Sequence, residues 1–328
     1  MLVGVLLFWL ALRGQDPHKI WDGLKQANYW WALASLVFAM LSNLSRAIRW
    51  NMLIEPLGYR PKVKNTFCAV MIAYFINLVI PRAGEVSRCA VVNRYEKVPL
   101  ESLLGTVVAE RVVDVLSLLL ILLFVIFSQF NLMIGFFRTR VADPLGNKIS
   151  ALFGHGPLVN LLMVAFVLAL LAGGWALFRR FKGSTKHSRL LDLFKGFADG
   201  LRTLGKLKNR NWFLFHTAFI WLAYVLMAYM VFFAVPATSH LSFLAAISVM
   251  VFGGLGFVVP SPGGSGSYQF FVANVLLLYG ISNSATHPDA DIFALISWST
   301  QTIAVIVFGA LCFILLPVIN PRKNPATS

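Results

Sequence analysis

The residues of this chain that could do chemistry are charged groups set inside apolar runs. Glu110-Arg111-Val112-Val113-Asp114 puts two carboxylates four residues apart on one helix face, with a guanidinium three residues before the second. Val79-Ile80-Pro81-Arg82-Ala83-Gly84-Glu85-Val86-Ser87-Arg88 ends an apolar run with a helix-stopping proline, a glycine and three charges. Hydrocarbon tolerates such groups only where protein buries them or where they line a wet cavity, so both stretches mark a binding site or pathway. Val258-Val259-Pro260-Ser261-Pro262-Gly263-Gly264-Ser265-Gly266-Ser267 repeats the same local pattern later in the chain.

A helix starting at Gly84 or Gly264 would aim unbonded amides and the positive end of its dipole into that cavity, an arrangement suited to phosphate. The expected headgroup-binding residues are therefore Arg82, Gly84, Glu85 and Arg88 at the first break and Pro262, Gly263, Gly264, Gly266 and Gln269 at the second. Arg46 and Arg49 join this set, although snorkelling to the headgroups explains basic residues near a helix end equally well. Glu110, Arg111 and Asp114 are expected to form a charge network or a proton-coupling group, with Arg82 or Arg88 as partners for the carboxylates. A purely structural ion-pair network is the competing reading.

Enzyme and metal signatures are sparse. Cys68, Cys89 and Cys312 are scattered, the six histidines form no H-x-x-x-H pair, and no metal site, cofactor or catalytic residue is expected. The Gly263-Gly264-Ser265-Gly266 run lacks both the nucleophile-elbow frame and the ending of a phosphate-binding loop.

The elements that must position these residues follow from composition. A chain that is 58% hydrophobic and 12% charged is an integral membrane protein, since soluble domains carry about 25% charged residues. The net charge of +15 sits on residues flanking apolar segments, which fits membrane topology and excludes nucleic acid as a partner. The chain reads as all-α and polytopic, a single transmembrane domain over 1–328 with about six full spans and two Pro/Gly-broken re-entrant hairpins. Met1 to Leu12 reads as the end of a first span. Further spans are expected over 29–53, 103–127, 158–178, 212–235 and 292–316, with hairpins over 66–95 and 241–280. Ten Lys/Arg against Asp192 and Asp199 make 179–210 a cytoplasmic, amphipathic segment expected to lie on an anionic leaflet. One hairpin enters from inside and the other from outside, so the half-repeats 29–127 and 212–316 read as an inverted repeat, whose broken helices meet near a shared midplane site.

These residues resemble a known family, the lysylphosphatidylglycerol synthase transmembrane region, also called the flippase-like membrane family. The matching motifs are Arg46-Ala47-Ile48-Arg49-Trp50, Pro81 to Arg88, Glu110 to Asp114 and Pro262 to Gly266, in family order over essentially the whole chain. The resemblance implies a multi-pass protein of the bacterial inner (cytoplasmic) membrane that moves or modifies lipid-linked polar headgroups. Its lipid partner would be an anionic or aminoacylated phospholipid or a polyprenyl lipid. Fused relatives carry a soluble aminoacyl-transferase domain; none follows Leu316, so lysyl transfer by this chain alone is not expected. Tyr268-Gln269 stands where many relatives have an acidic or histidine residue. A membrane-embedded transferase, or a partner of a separate lipid-modifying enzyme, is the alternative.

Overall fold

A computed structural model describes residues 15–130, 207–259 and 261–321, together with Leu6, Leu7, Trp9 and Leu132. Contacts divide the chain into two units, 1–125 with 203–328, and 126–202. The second unit lies almost wholly outside the described residues, and with it the expected span over 158–178 and most of the basic segment 179–210. Most of the apolar start of the chain, and Pro260, lie outside them as well.

The described residues are helical, without strands. They form α1 (Pro17–Gln26), α2 (Tyr29–Ile54), α3 (Val63–Val79), α4 (Ala83–Glu96), α5 (Leu100–Ser128), α6 (Arg210–Phe232), α7 (Phe243–Val258), α8 (Ser267–Leu278) and α9 (Asp289–Ile319). Four of them, α2, α5, α6 and α9, are long and apolar enough to cross a membrane. These coincide with four of the expected spans, and the chain is polytopic. The order long helix, broken pair, long helix occurs twice, as α2, α3/α4, α5 and as α6, α7/α8, α9.

Local chemistry sets the boundaries. Asn28 caps α2 by accepting the Trp30 amide at 3.2 Å, and Gly58, at φ 88°, turns the chain after Pro56. Pro81 cannot continue α3, and Arg82 takes a left-handed conformation at φ 69° that starts α4 in a new direction. Ser242 caps α7, its hydroxyl accepting the Ala245 amide at 3.3 Å.

Each broken pair folds back on itself. In the first, the Glu96 carboxylate at the end of α4 accepts the Lys62 amide at 3.0 Å and the Asn65 side chain at 2.5 Å, so both ends of the hairpin sit together. Asn65 also pairs with Asn320, which places the end of α9 on that side, beside the basic residues Arg60, Lys62, Lys64, Arg94 and Lys97. In the second, Tyr279 donates to the Ser248 hydroxyl at 2.7 Å, and Gly253 and Gly256 let α7 close on Tyr268. A Cβ on Gly256 would lie 2.9 Å from the Tyr268 Cα. Apart from that basic end, the Asn28 amide donates to the Ala234 carbonyl at 2.8 Å and Gln15 to the Asn283 carbonyl at 3.3 Å. The loops 236–242 and 280–288, between the helices of the second half, carry no Lys or Arg.

One buried apolar cluster joins α6, α7, α8 and α9 around Phe232, Val249, Val272 and Phe293, and a second packs Trp50, Ile54, Ala69, Cys89 and Leu103 between α2, the first hairpin and α5. Cys68, Cys89 and Cys312 are buried free thiols, as expected of packing residues.

Glycine contacts give a direct test. Gly84 sits against the Ala73 carbonyl and the Asn77 side chain, whereas Gly105 in α5 has nothing within 4 Å of a Cβ. Gly84→Val is expected to cost roughly 1–3 kcal/mol through overpacking, read as a lower melting temperature in detergent. Gly105→Ala should leave that temperature unchanged or raise it.

Candidate functional site

The site begins with a carboxylate that the fold removes from solvent. Glu110, ten residues into α5 and so about 15 Å along it, is 0% exposed. Four guanidinium groups reach it: Arg46 at 2.6 Å, Arg88 at 3.0 Å, Arg111 at 3.1 Å and Arg49 at 3.4 Å. Asp114, one turn on, takes Arg49 at 2.6 Å, Arg46 at 2.9 Å and Arg111 at 3.4 Å.

Three elements supply these groups. Helix α2 presents Arg46 and Arg49 three residues apart on one face; α4 presents Arg88 from the broken hairpin; α5 carries both carboxylates and Arg111. Further bonds hold the arginines in place. Arg46 donates to the Tyr224 hydroxyl at 3.1 Å, Arg49 donates to Thr217 at 3.3 Å, and the Arg88 guanidinium lies 4.6 Å from the Trp50 ring centre. Trp50 is itself fixed by a 2.9 Å bond from its indole nitrogen to Thr106.

Four guanidinium groups against two carboxylates leave two surplus positive charges, with Arg46, Arg49 and Arg88 each at most 5% exposed. Unpaired charge in so buried a place is costly, and an anion brought beside it relieves that cost. The arrangement leaves room for one. The Arg88 Nη2 is buried and has no hydrogen-bond partner, and the Arg111 side chain is 44% exposed.

Arg88 and Arg111 both line a cavity of about 550 Å³. Arg46, Arg82, Arg88, Arg111, Glu85 and Asp114 make part of its wall, with Tyr74, Asn77, Tyr224 and Gln301. Much of the rest is apolar, including Val70, Leu78, Val115, Leu118, Phe257 and Val258. The tips of both hairpins close it: Pro81 and Gly84 from the first, and Val259, Ser261, Gly263 and Gly264 from the second. Gly263 rests against Leu78, and its carbonyl accepts the Trp298 indole N–H at 2.8 Å. Such a chamber accommodates an anionic group at one wall and hydrocarbon along another.

The structure brings most of the expected residues together and corrects the roles of several. The expected pairing of Arg111 with Asp114, and of Arg88 with the α5 carboxylates, is present. Arg82 lines the cavity, and among the described residues no carboxylate pairs with it. Arg46 and Arg49 do not snorkel: α2 packs so closely on α6 that both are buried, and the two carboxylates hold them inward. Arg49 lies behind the cavity wall, 0% exposed.

The glycine amides are the larger correction. The Gly84 amide donates to the Asn77 side chain at 2.7 Å, so the hairpin caps its own helix start. Gly264 lies in a short 3-10 turn with its amide donated to the Ser261 carbonyl at 3.2 Å, and α8 begins at Ser267. The Gly266 amide is taken by Gln269 Oε1 at 2.8 Å, which makes Gln269, 1% exposed, a capping residue. Pro262, Gly266 and Gln269 stand behind the wall and shape the turn. These glycine amides are thus filled within the turns, and the formal positive charges at the cavity are those of arginine side chains.

Tyr74, Asn77, Tyr224, Trp298 and Gln301 are wall residues that motif reading passed over. Their signal was available: polar side chains within otherwise apolar helices, each in need of a partner.

A polytopic helical protein with a charged cavity between two hairpin tips is what these elements define. Residues 1–309 match the family described as the lysylphosphatidylglycerol synthase TM region, and the chain belongs to it. A UPF0104 membrane protein of Methanothermobacter thermautotrophicus is 22% identical over 93% of this chain and 92% of its own length. A second, from Methanocaldococcus jannaschii, is 33% identical over 38% of this chain and 39% of the relative. A glycosyltransferase, AglD of Haloferax volcanii, is 32% identical over 36% of this chain, and the match spans 20% of that protein. No solved structure matches the chain significantly. These three relatives are archaeal.

Removing one carboxylate tests the cluster. Glu110→Gln leaves three buried guanidinium groups and the half-exposed Arg111 against Asp114 alone, and a loss of roughly 3–5 kcal/mol in stability is expected, read by thermal unfolding in detergent. The double variant Glu110→Gln/Arg88→Gln should lose less than the two single losses combined, by roughly 0.5–3 kcal/mol.

Proposed function

We propose that this protein is a flippase-like lipid transporter whose cavity takes the negatively charged headgroup of a membrane lipid. The observation that carries this reading is the two-charge surplus of guanidinium at the wall of a half-apolar cavity. Arg88, two of whose guanidinium nitrogens have no partner, and the half-exposed Arg111 are the headgroup phosphate ligands among the cavity-lining residues; Arg82 meets the headgroup from the hairpin tip. Arg46 and Arg49 hold the carboxylates, and through them the position of Arg88. The apolar wall receives the first part of an acyl or prenyl chain.

The two hairpins act as re-entrant elements of an inverted repeat, one entering from each side of a cytoplasmic membrane, bacterial in the reading drawn from the motifs. Support comes from the repeated element order and from the paired ends of each hairpin. Rocking one half against the other would open the cavity to each leaflet in turn, with the basic segment 179–210 resting on the anionic face.

One observation favours a second reading. The relative named a glycosyltransferase makes a membrane-embedded transferase on polyprenyl-phosphate glycolipids, or a partner subunit of a separate enzyme, the alternative. Glu85, a carboxylate on the cavity wall, would then be the candidate base.

Proteoliposomes with headgroup-labelled lipid separate the two. Leaflet exchange that falls tenfold or more in Arg88→Gln and in Arg82→Ala supports transport. New lipid product without exchange supports the transferase, and wild-type rates of both in folded variants would reduce the cluster to scaffold.

A further inference from the structure

The cavity wall carries neutral polar side chains that the arginine cluster does not use. Asn43, Tyr74, Gln301 and Thr302 line the cavity, and among the described residues their side chains make no hydrogen bond. None of their polar atoms is sealed inside the protein. Asn77 lines it too, and only its Oδ1 is taken, by the Gly84 amide; its Nδ2 has no partner.

Helical spacing groups these residues with parts of the site already described. Asn43 and Arg46 stand three residues apart on α2, Tyr74 and Asn77 on α3, and Trp298 and Gln301 on α9, so each pair shares a helix face. Helices α2 and α9 are long enough to cross a membrane. Polar groups without partners in such helices are costly unless water or a ligand meets them.

The types of these groups say what kind of ligand fits. Guanidinium only donates, which suits phosphate; side-chain amides and hydroxyls both donate and accept, which suits other hydroxyls. A headgroup of phosphate alone would leave them unused, and choline has no hydrogen to donate to their oxygens. The volume agrees, since 550 Å³ lies within the about 300–1,000 Å³ of sites that enclose a whole small molecule. Trp298, whose indole N–H is fixed on the Gly263 carbonyl at 2.8 Å, adds an aromatic wall for the C–H face of a ring whose edge is hydroxylated.

We propose that the headgroup taken by this cavity is a polyhydroxylated ring joined to its lipid through phosphate, of inositol's or a hexose's kind. Asn43, Asn77 and Gln301 bind the ring hydroxyls, and Arg88 and Arg111 bind the phosphate. The proposal rests on the transport reading's anionic headgroup and names what that headgroup carries.

The test is calorimetric titration of the full chain in detergent with three water-soluble, short-chain lipids: phosphatidic acid, phosphatidylglycerol and phosphatidylinositol. Phosphatidic acid carries the most charge, so charge alone would make it the tightest. The expected result is the reverse order, with phosphatidylinositol about tenfold tighter than phosphatidic acid and phosphatidylglycerol between them. Asn43→Ala and Gln301→Ala should each weaken phosphatidylinositol binding by about threefold to tenfold. Both should leave phosphatidic acid binding unchanged and melt as wild type does, because neither side chain has a protein partner to lose. Arg88→Gln should weaken all three lipids. The inference is overturned by phosphatidylinositol that binds no tighter than phosphatidic acid, or by a preference that survives intact in the double variant Asn43→Ala/Gln301→Ala. Either result leaves the transport reading standing, whereas wild type that binds none of the three lipids removes both.

Discussion

The structure depends on one carboxylate, Glu110, placed where water does not reach and in contact with four guanidinium groups. Burying a charge is expensive unless partners are fixed around it, and here the partners come from three separate elements. Arg46 and Arg49 tie α2 to α5, and Arg88 ties the broken hairpin to both. The ion cluster therefore locks the first half of the protein together at a depth where apolar packing alone offers no specificity, because lipid is as apolar as the helices.

The same cluster is unbalanced, and the imbalance links architecture to function. It holds four cations against two anions and opens on a cavity. The amides of Gly84, Gly264 and Gly266 are not free for an anion. Asn77 and Gln269 accept the amides of Gly84 and Gly266, so neither sharp turn leaves that amide unpaired. The breaks shape the chamber and the arginines charge it.

Much of this was legible in the sequence because hydrocarbon is unforgiving. Apolar length located α2, α5, α6 and α9, and Pro81 located the first hairpin tip. The charges of Glu110 and Asp114 demand partners, for which the sequence offers Arg82 or Arg88, and it is Arg88 that pairs with Glu110. Arg46 and Arg49 were harder to place, since an arginine two turns from a helix end looks the same whether it snorkels or is buried. What decides the matter is the packing of α2 on α6, where Ser45 meets His216 at 2.7 Å and Thr217 meets Arg49. The fate of the glycine amides was equally hidden, because a cap depends on which side chain folds back, and Asn77 and Gln269 reveal that only in three dimensions.

The central claim is that surplus guanidinium charge in the hairpin cavity holds an anionic headgroup. Calorimetric titration of the purified protein with water-soluble, short-chain phosphatidylglycerol and phosphatidylcholine tests it most directly. Saturable binding of the anionic lipid, at least tenfold tighter than the zwitterionic one and lost in Arg88→Gln, is the expected result. Equal affinity for both lipids, unchanged in the folded variant, would contradict it.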